Sequence, residues 1–345
     1  MNPEMDEYLD PKLKSARVKY PDGTYKQFDV DVKGWCQGSE LFGQVTAGMS
    51  YRLNERKYFG LCFNDPYDGS KHWLDHKLSI EVLLVSIASD RDQDVNRRRK
   101  PGAPQPKIPW EFSFEVRFYP LSPSTLVDDI ARKFLFMQLR HDILSGRLTA
   151  TSDIYIRLGA LLAHIVYGDA PDADDQEYQE FMTNTKLVPD TVTDVHSQIV
   201  QLHANLRGFT GPDIMNQYMS ICASLPHYGV HFFPAKNKNG KEVKFGVGPR
   251  GVSVQKDDRL KSHEWSEVAS FLRETTKCSS KKWSDQLAAS YVNGNIIMIT
   301  EPEELIGKQV IYSYQFASPS HASHVQNFYA VNRLFFKDGI SVDTL

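Results

Sequence analysis

Apolar and polar positions follow three different rhythms along the chain. Residues 15–20 and 25–31 alternate on either side of Pro21-Asp22-Gly23, residue types that build turns, and so predict a β-hairpin. Leu41, Phe42, Val45, Met49 and Leu53 then recur at steps of three and four, which predicts a helix over 38–53 with one apolar face. Residues 58–63 and 72–74 read as further short strands. Together these elements make a small ubiquitin-like roll.

Both periods are lost over residues 86–109. Ser89-Asp-Arg-Asp-Gln-Asp94 is polar, Arg97, Arg98, Arg99 and Lys100 are basic, and Pro101, Pro104, Pro106 and Pro109 follow. The expectation is an exposed insertion with neither helix nor strand. Alternation returns at 110–118 and predicts a strand that completes the first sheet.

From 122 to 225 the period is helical. Ser122 and Pro123 predict a cap and first turn, and Asp128 and Asp129 suit the positive end of a helix. Leu126, Ile130, Phe134 and Met137 make its stripe. Ile154, Leu158, Leu161 and Ile165 make a second, and Val195, Ile199 and Leu202 a third. Thr210 with Asp213 predicts a capped last helix carrying Ile214, Tyr218, Ile221 and Leu225. Stripes of this kind are core positions, so no cofactor box is read into them.

Alternation then resumes. Residues 230–236, 242–247, 252–254, 268–272, 295–300 and 310–316 predict six strands, and Val325, Phe328, Val331 and Phe335 one closing helix. That order is the pattern of a pleckstrin-type or phosphotyrosine-binding-type fold.

Composition narrows the function classes. The 345 residues carry 40 Lys and Arg against 43 Asp and Glu, which argues against a generic nucleic-acid coat. No apolar run approaches the ~18 residues needed to span a bilayer. The start, MNPEMDEYLDPK, lacks the apolar core of a signal peptide. Cys36, Cys62, Cys222 and Cys278 are scattered, as expected of free thiols in a reducing intracellular compartment rather than a disulfide framework.

Residues 246–251 spell G-x-G-x-x-G, but a strand follows where a dinucleotide site needs a helix, so a β-turn is expected. His72 and His76 have zinc spacing only on a helix, and no helix start precedes them. His321 and His324, beside Ser320 and Ser323, are expected to begin the last helix rather than to activate a nucleophile. No cysteine follows a histidine, so a tyrosine-phosphatase loop is missing. Neither a catalytic residue, a metal nor a cofactor is expected.

The longer motifs carry a family resemblance. Val116-Arg-Phe-Tyr-Pro120 with Ser122-Pro-Ser-Thr-Leu126 resembles the strand-to-helix junction of FERM modules, as found in the band 4.1 and ezrin–radixin–moesin superfamily. Phe134-Leu-Phe136 and the run from Gln138 to Leu148 resemble its first central helix. Leu202-His203 with Arg207-Gly208 and Thr210 is similar to the next signature. Phe59-Gly-Leu61 and Trp73-Leu-Asp75 are similar to the first lobe, and Tyr228-Gly-Val230, Ala235-Lys236, Gly240, Gly246-Val247, Gly251 and Trp265 to the third. The band 4.1-like branch is the nearest in texture.

The resemblance implies an α+β chain of several lobes. After a tail at 1–12 come a ubiquitin-like lobe at 13–121 with an insertion at 84–109, and a helical, acyl-CoA-binding-protein-like bundle at 122–226. A pleckstrin/phosphotyrosine-binding-like sandwich at 227–338, with an insertion at 274–292, precedes a short tail at 339–345. It implies a non-enzymatic adaptor, cytoplasmic and peripheral at the plasma membrane and cell cortex, that binds cytoplasmic tails of membrane proteins. Actin or spectrin would be reached only through other segments. The alternative is a regulatory region of a tyrosine phosphatase or other signalling protein whose catalytic part lies elsewhere.

For tail peptides the expected groove lies between Asn295–Thr300 and the closing helix, with Ile296, Met298, Val325 and Phe328 as lining residues or plain core. For anionic phosphoinositides the candidates are Lys236, Lys238, Lys241 and Lys244 together with Arg97, Arg98, Arg99 and Lys100. At about 1 kcal/mol per basic residue, one cluster of four gives only roughly millimolar affinity, so a lipid role needs a second contact.

Overall fold

A computed structural model of the chain describes residues 13–31, 36–49, 52–66, 69–95, 108–171, 175–257, 259–273, 295–300, 311–316 and 319–340. The basic run Arg97, Arg98, Arg99 and Lys100 and the proposed insertion at 274–292 lie outside them.

The first lobe is a roll. Strands β1 (Leu13–Lys19) and β2 (Tyr25–Asp31) form the hairpin, its turn closed by Gly23 at a φ of 85°. Helix α1 (Gly38–Ala47) follows, then β3 (Phe59–Asn64), β4 (Lys71–Trp73), helix α2 (Ile80–Val95) and β5 (Glu111–Val116). The sheet runs β2-β1-β5-β3-β4, with β1 and β5 parallel. His72 is on a strand and His76 beyond it, which removes the helical zinc geometry.

Helix α2 corrects the expectation of an unstructured stretch from 86 onward. Ile80, Leu84 and Ala88 bury one face, and the helix continues to Val95 through residues whose polarity hides its period. Ser122 and Pro123 open only a 3-10 turn, and the long helix α3 (Asp129–Leu144) starts later. Asp128 caps it, its Oδ1 accepting from the amides of Ile130 and Ala131.

The remaining helices of the second lobe are α4 (Ser152–Tyr167), α5 (Gln176–Asn184), α6 (His196–Ala204) and α7 (Gly211–Ser224). Helix α4 is the centre of the bundle, packed on α6 and α7. A Cβ at Gly159 would lie 2.9 Å from Ile199 Cδ1, so the absence of a side chain lets α6 approach. Thr210 caps α7, its hydroxyl accepting from the Asp213 amide. Leu202, expected in a core stripe, is 37% exposed.

The third lobe has seven strands: β6 (His231–Asn237), β7 (Glu242–Gly248), β8 (Gly251–Lys256), β9 (Arg259–Glu264), β10 (Val268–Arg273), β11 (Asn295–Thr300) and β12 (Ile311–Gln315). Their order is β10-β11-β12-β6-β7-β8-β9, and helix α8 (Pro319–Phe336) packs across β7, β10 and β11. Strand β9 adds to the six strands the sequence predicts: Arg-Leu-Lys-Ser-His-Glu is polar and carries no apolar alternation, as suits a sheet edge.

The glycine motif at 246–251 is the β7–β8 hairpin. Gly251 has a φ of 145°, and a Cβ there would fall 2.0 Å from the His263 carbonyl oxygen. Close strand approach, not phosphate binding, accounts for that glycine.

Candidate interaction surface

The outer surface of the third lobe is set by how the lobes lock together. In β3, Phe59, Leu61 and Phe63 join the core shared by the first and second lobes, while Cys62 points to the other face and joins the core of the third. Trp73 does the same from β4. The first sheet is therefore covered on both faces at this end, which explains why β3 is apolar almost throughout. Gly60 leaves room here, since a Cβ would meet Trp73 and Arg117 at 3.1 Å.

Arg117 is buried, with its guanidinium 5.6 Å from the Trp73 ring and 5.3 Å from that of Phe118. Loss of water lowers its pKa to about 10. Phe118 stacks on Phe335 of α8 with ring centroids 4.2 Å apart. His231 meets Trp73 edge-on at 6.0 Å, and His72 meets His324 of α8 at 4.5 Å.

A buried polar hub fixes the other junction. Tyr119 donates to Asp142 Oδ2 at 2.7 Å, and Gln138 donates to Asp142 Oδ1 at 3.1 Å. Arg147 donates to the Tyr119 hydroxyl at 2.6 Å and pairs with Asp142. Gly146, at a φ of 74°, turns the chain so that Arg147 can fold back. Tyr228 donates to the Pro120 carbonyl at 2.9 Å, tying in the start of the third lobe. The run from Gln138 to Leu148 noted in the sequence is thus a joint between lobes.

The second signature, His203 with Arg207 and Gly208, is also structural. His203 Nε2 lies 2.8 Å from the Gly168 carbonyl, so it carries the proton, and Nδ1 accepts from the Tyr178 hydroxyl at 2.8 Å. Arg207 donates to the Ala170 carbonyl, and the Gly208 amide to Asp169. Burial lowers the His203 pKa, holding the ring neutral.

The four groove candidates are on the expected strand and helix, but as plain core rather than as the lining of a groove. Strand β11 pairs with β10 on one side and β12 on the other, so no peptide can add to it. Ile296, Met298 and Val325 are fully buried and Phe328 nearly so, all within the third-lobe core. The edge belongs to β10, one strand earlier: its outer side pairs with no strand among the described residues. Phe271 of β10 stacks on Tyr329 of α8 at 4.1 Å, and Arg333 donates to the Tyr329 hydroxyl. Ala269 and Ser270 are half-exposed along this edge. The arrangement is an open strand beside a helix, able to take an extended segment by backbone hydrogen bonds.

Lys236, Lys238, Lys241 and Lys244 are all exposed on the β6–β7 hairpin. Asn237 shapes its turn, its side-chain oxygen accepting from the amides of Asn239 and Lys241. Lys236 and Lys244 border a groove of about 630 Å³ floored by Ala235, Val243 and Phe316, but Glu242 and Asp257 border it too. Glu242 lies directly across from Lys236. Charge in the groove is mixed, so the two turn lysines present the less opposed positive charge. Among the described residues no group of His, Cys, Asp and Glu could hold a metal, and no helix is long and apolar enough to cross a membrane.

A five-stranded roll, a helical bundle and a seven-stranded sheet closed by a helix, joined by buried hubs, define a three-lobe module. Comparison with known proteins agrees. The FERM N-terminal domain model matches residues 18–86 and the FERM central domain model residues 122–233, and the chain belongs to the FERM family. It is 29% identical over 311 residues to band 4.1-like protein 2 of Mus musculus, covering 90% of this chain but only 27% of that protein. The FERM and C-terminal domain complex of Drosophila Merlin superposes with a TM-score of 0.67 at 18% identity, covering 94% of this chain and 96% of that one. The MyTH4-FERM domain of human Myosin 7b, solved with the harmonin-a PDZ3 domain, gives 0.59 at 12% identity, covering 92% and 60%.

Proposed function

We propose that this chain is the ligand-binding module of a non-enzymatic membrane–cytoskeleton adaptor of the band 4.1 type, and that it takes the cytoplasmic tails of membrane proteins at the inner plasma membrane. The observation that carries this reading is the edge of β10, which no strand pairs among the described residues, lying against α8. A tail adding there would gain a ladder of backbone hydrogen bonds and, from alternate side chains, sequence preference. The chain spans about a quarter of the length of the band 4.1-like relatives, so contact with actin or spectrin would come from other parts of such a protein.

Anionic phosphoinositide is the second ligand of this reading, supported by the four exposed lysines on the β6–β7 hairpin. Their strength is that of an auxiliary contact, useful only once a tail is held.

The test is titration of the chain with a panel of juxtamembrane tail peptides, repeated with Ala269→Pro and with Ser270→Pro, since neighbouring amides of a strand face opposite sides and the informative variant is the one that keeps the fold. Proline at this edge removes an amide and bars strand addition. Loss of binding in the variant with its fold intact supports the reading. Unchanged affinity would move the site away from β10.

A further inference from the structure

The seam between the first and third lobes is lined by imidazoles from three elements. His72 stands on β4, His231 on β6, and His321 and His324 on α8. The His72 and His324 rings are 4.5 Å apart. His324 and His321 both meet Phe233 edge-on, at 5.8 and 6.3 Å. His231 lies edge-on between Trp73 of the first lobe and Phe328 of α8, at 6.0 and 4.9 Å.

The charged groups around the seam are predominantly cationic or already matched. From the first lobe come Lys71, paired with Glu115, and buried Arg117, whose electrostatic partner is Asp75. From the second lobe comes Arg147, paired with Asp142. Within the third, His321 and His324 face each other's charge on α8. The buried thiol of Cys62 completes the set, its pKa pushed up by burial.

We propose that this histidine seam is an acid-sensitive latch: protonation of His231 and His324 opens the first lobe from the third and loosens β4 and α8, the elements that carry the seam, while the rest of each lobe keeps its fold. The seam packs best with both rings neutral, because a proton on either adds a cation among Lys71, Arg117 and Arg147. Burial, reinforced by those cations, lowers the His231 pKa well below its ordinary value. Burial and the neighbouring His72 and His321 bring that of His324 to about 3. Once the seam opens, both rings return to water and titrate near 6.5.

The sign follows from linkage. Above about pH 6.5 neither state takes up protons at these rings, and closure is fully favoured. Below it only the open state takes them up, so the closed-to-open ratio falls about 10-fold per ring at pH 5.5, and about 100-fold for the two.

Amide hydrogen exchange on the whole chain at pH 7.5 and 5.5, with rates normalised to unstructured peptides, reads this directly. The latch predicts that protection in β4 and α8 drops by up to about 100-fold at pH 5.5 while α4 and β7 stay protected. In the His231→Phe/His324→Phe double variant the drop disappears. Should that variant misfold by circular dichroism, the single changes His231→Gln and His324→Gln serve instead, each removing about 10-fold of the drop. Equal loss in every element, an unchanged profile in the wild type, or the same drop in the variants would overturn the proposal.

Discussion

Phe118 and Phe335 stack face to face, their ring centroids 4.2 Å apart and their planes within 6°. One ring leaves the last strand of the first lobe and the other sits near the end of the chain's closing helix. Phe336 and Tyr58 add edge contacts at 6.0 and 5.7 Å. This small aromatic stack ties the first lobe to the third and holds α8 across its sheet.

Truncating Phe118 to Ala should therefore cost about 3–5 kcal/mol, the range for a fully buried Phe. The loss should appear as separation of one calorimetric transition into two, because what is weakened is the contact between lobes. A single transition at unchanged temperature would show that the stack contributes little.

The Asp142 hub makes a second demand. Asp142→Ala removes the acceptor that Arg147, Tyr119 and Gln138 share, and because Arg147 is 37% exposed and keeps its bond to the Tyr119 hydroxyl, the cost falls below the roughly 3–5 kcal/mol of a fully buried pair. Urea unfolding of Asp142→Ala, Arg147→Met and the double variant should show strong non-additivity, the double change costing less than the sum. Additive losses would mean that the three groups do not act as one network.

His203 predicts a pH dependence in the second lobe. Its pKa is lowered in the folded state by burial, so below about 6.5 the unfolded chain takes up a proton that the folded chain refuses. Stability is full above that pH and falls as the pH drops through it. His203→Gln should be less stable at pH 7.5 yet show a flatter profile between pH 7 and 5 in denaturant titrations. A profile as steep as that of the wild type would assign the dependence to other groups.

Gly251→Ala separates fold from chemistry in the glycine motif. Its Cβ would fall against the His263 carbonyl, so the β7–β8 hairpin must distort. Strong destabilisation is expected in thermal unfolding, with no rescue by added dinucleotide. Stabilisation of the wild type by a dinucleotide would contradict the structural account.

For the lipid contact, sedimentation with vesicles containing a phosphoinositide should show weak binding at low salt that fades at physiological salt. Lys238→Glu/Lys241→Glu should abolish it. Binding that survives physiological salt in the variant would move the site off the hairpin.

Where a stripe faces a single core, the sequence was readable: Ile154, Leu158 and Leu161 place α4 directly, and Thr210 with Asp213 places the start of α7. It was unreadable where polarity masks a period, as in Ser89-Asp-Arg-Asp-Gln-Asp94 of α2 and in the edge strand β9. The sheet edge lies one strand earlier than the sequence predicts, because Ile296 to Ile299 is apolar on both faces and nothing local says which of two neighbouring strands is the edge. The seam of His72, Trp73, Arg117, His231 and His324 could not be read at all, since its members meet only once the first and third lobes are assembled.

The edge of β10 is the centre of the account, and hydrogen exchange of the chain with and without a bound tail peptide tests it most directly. The account predicts that amides of Val268–Arg273 slow on binding while those of the opposite edge, Arg259–Glu264, do not change. Slowing at Arg259–Glu264 or within the helical lobe, with β10 unaffected, would contradict it.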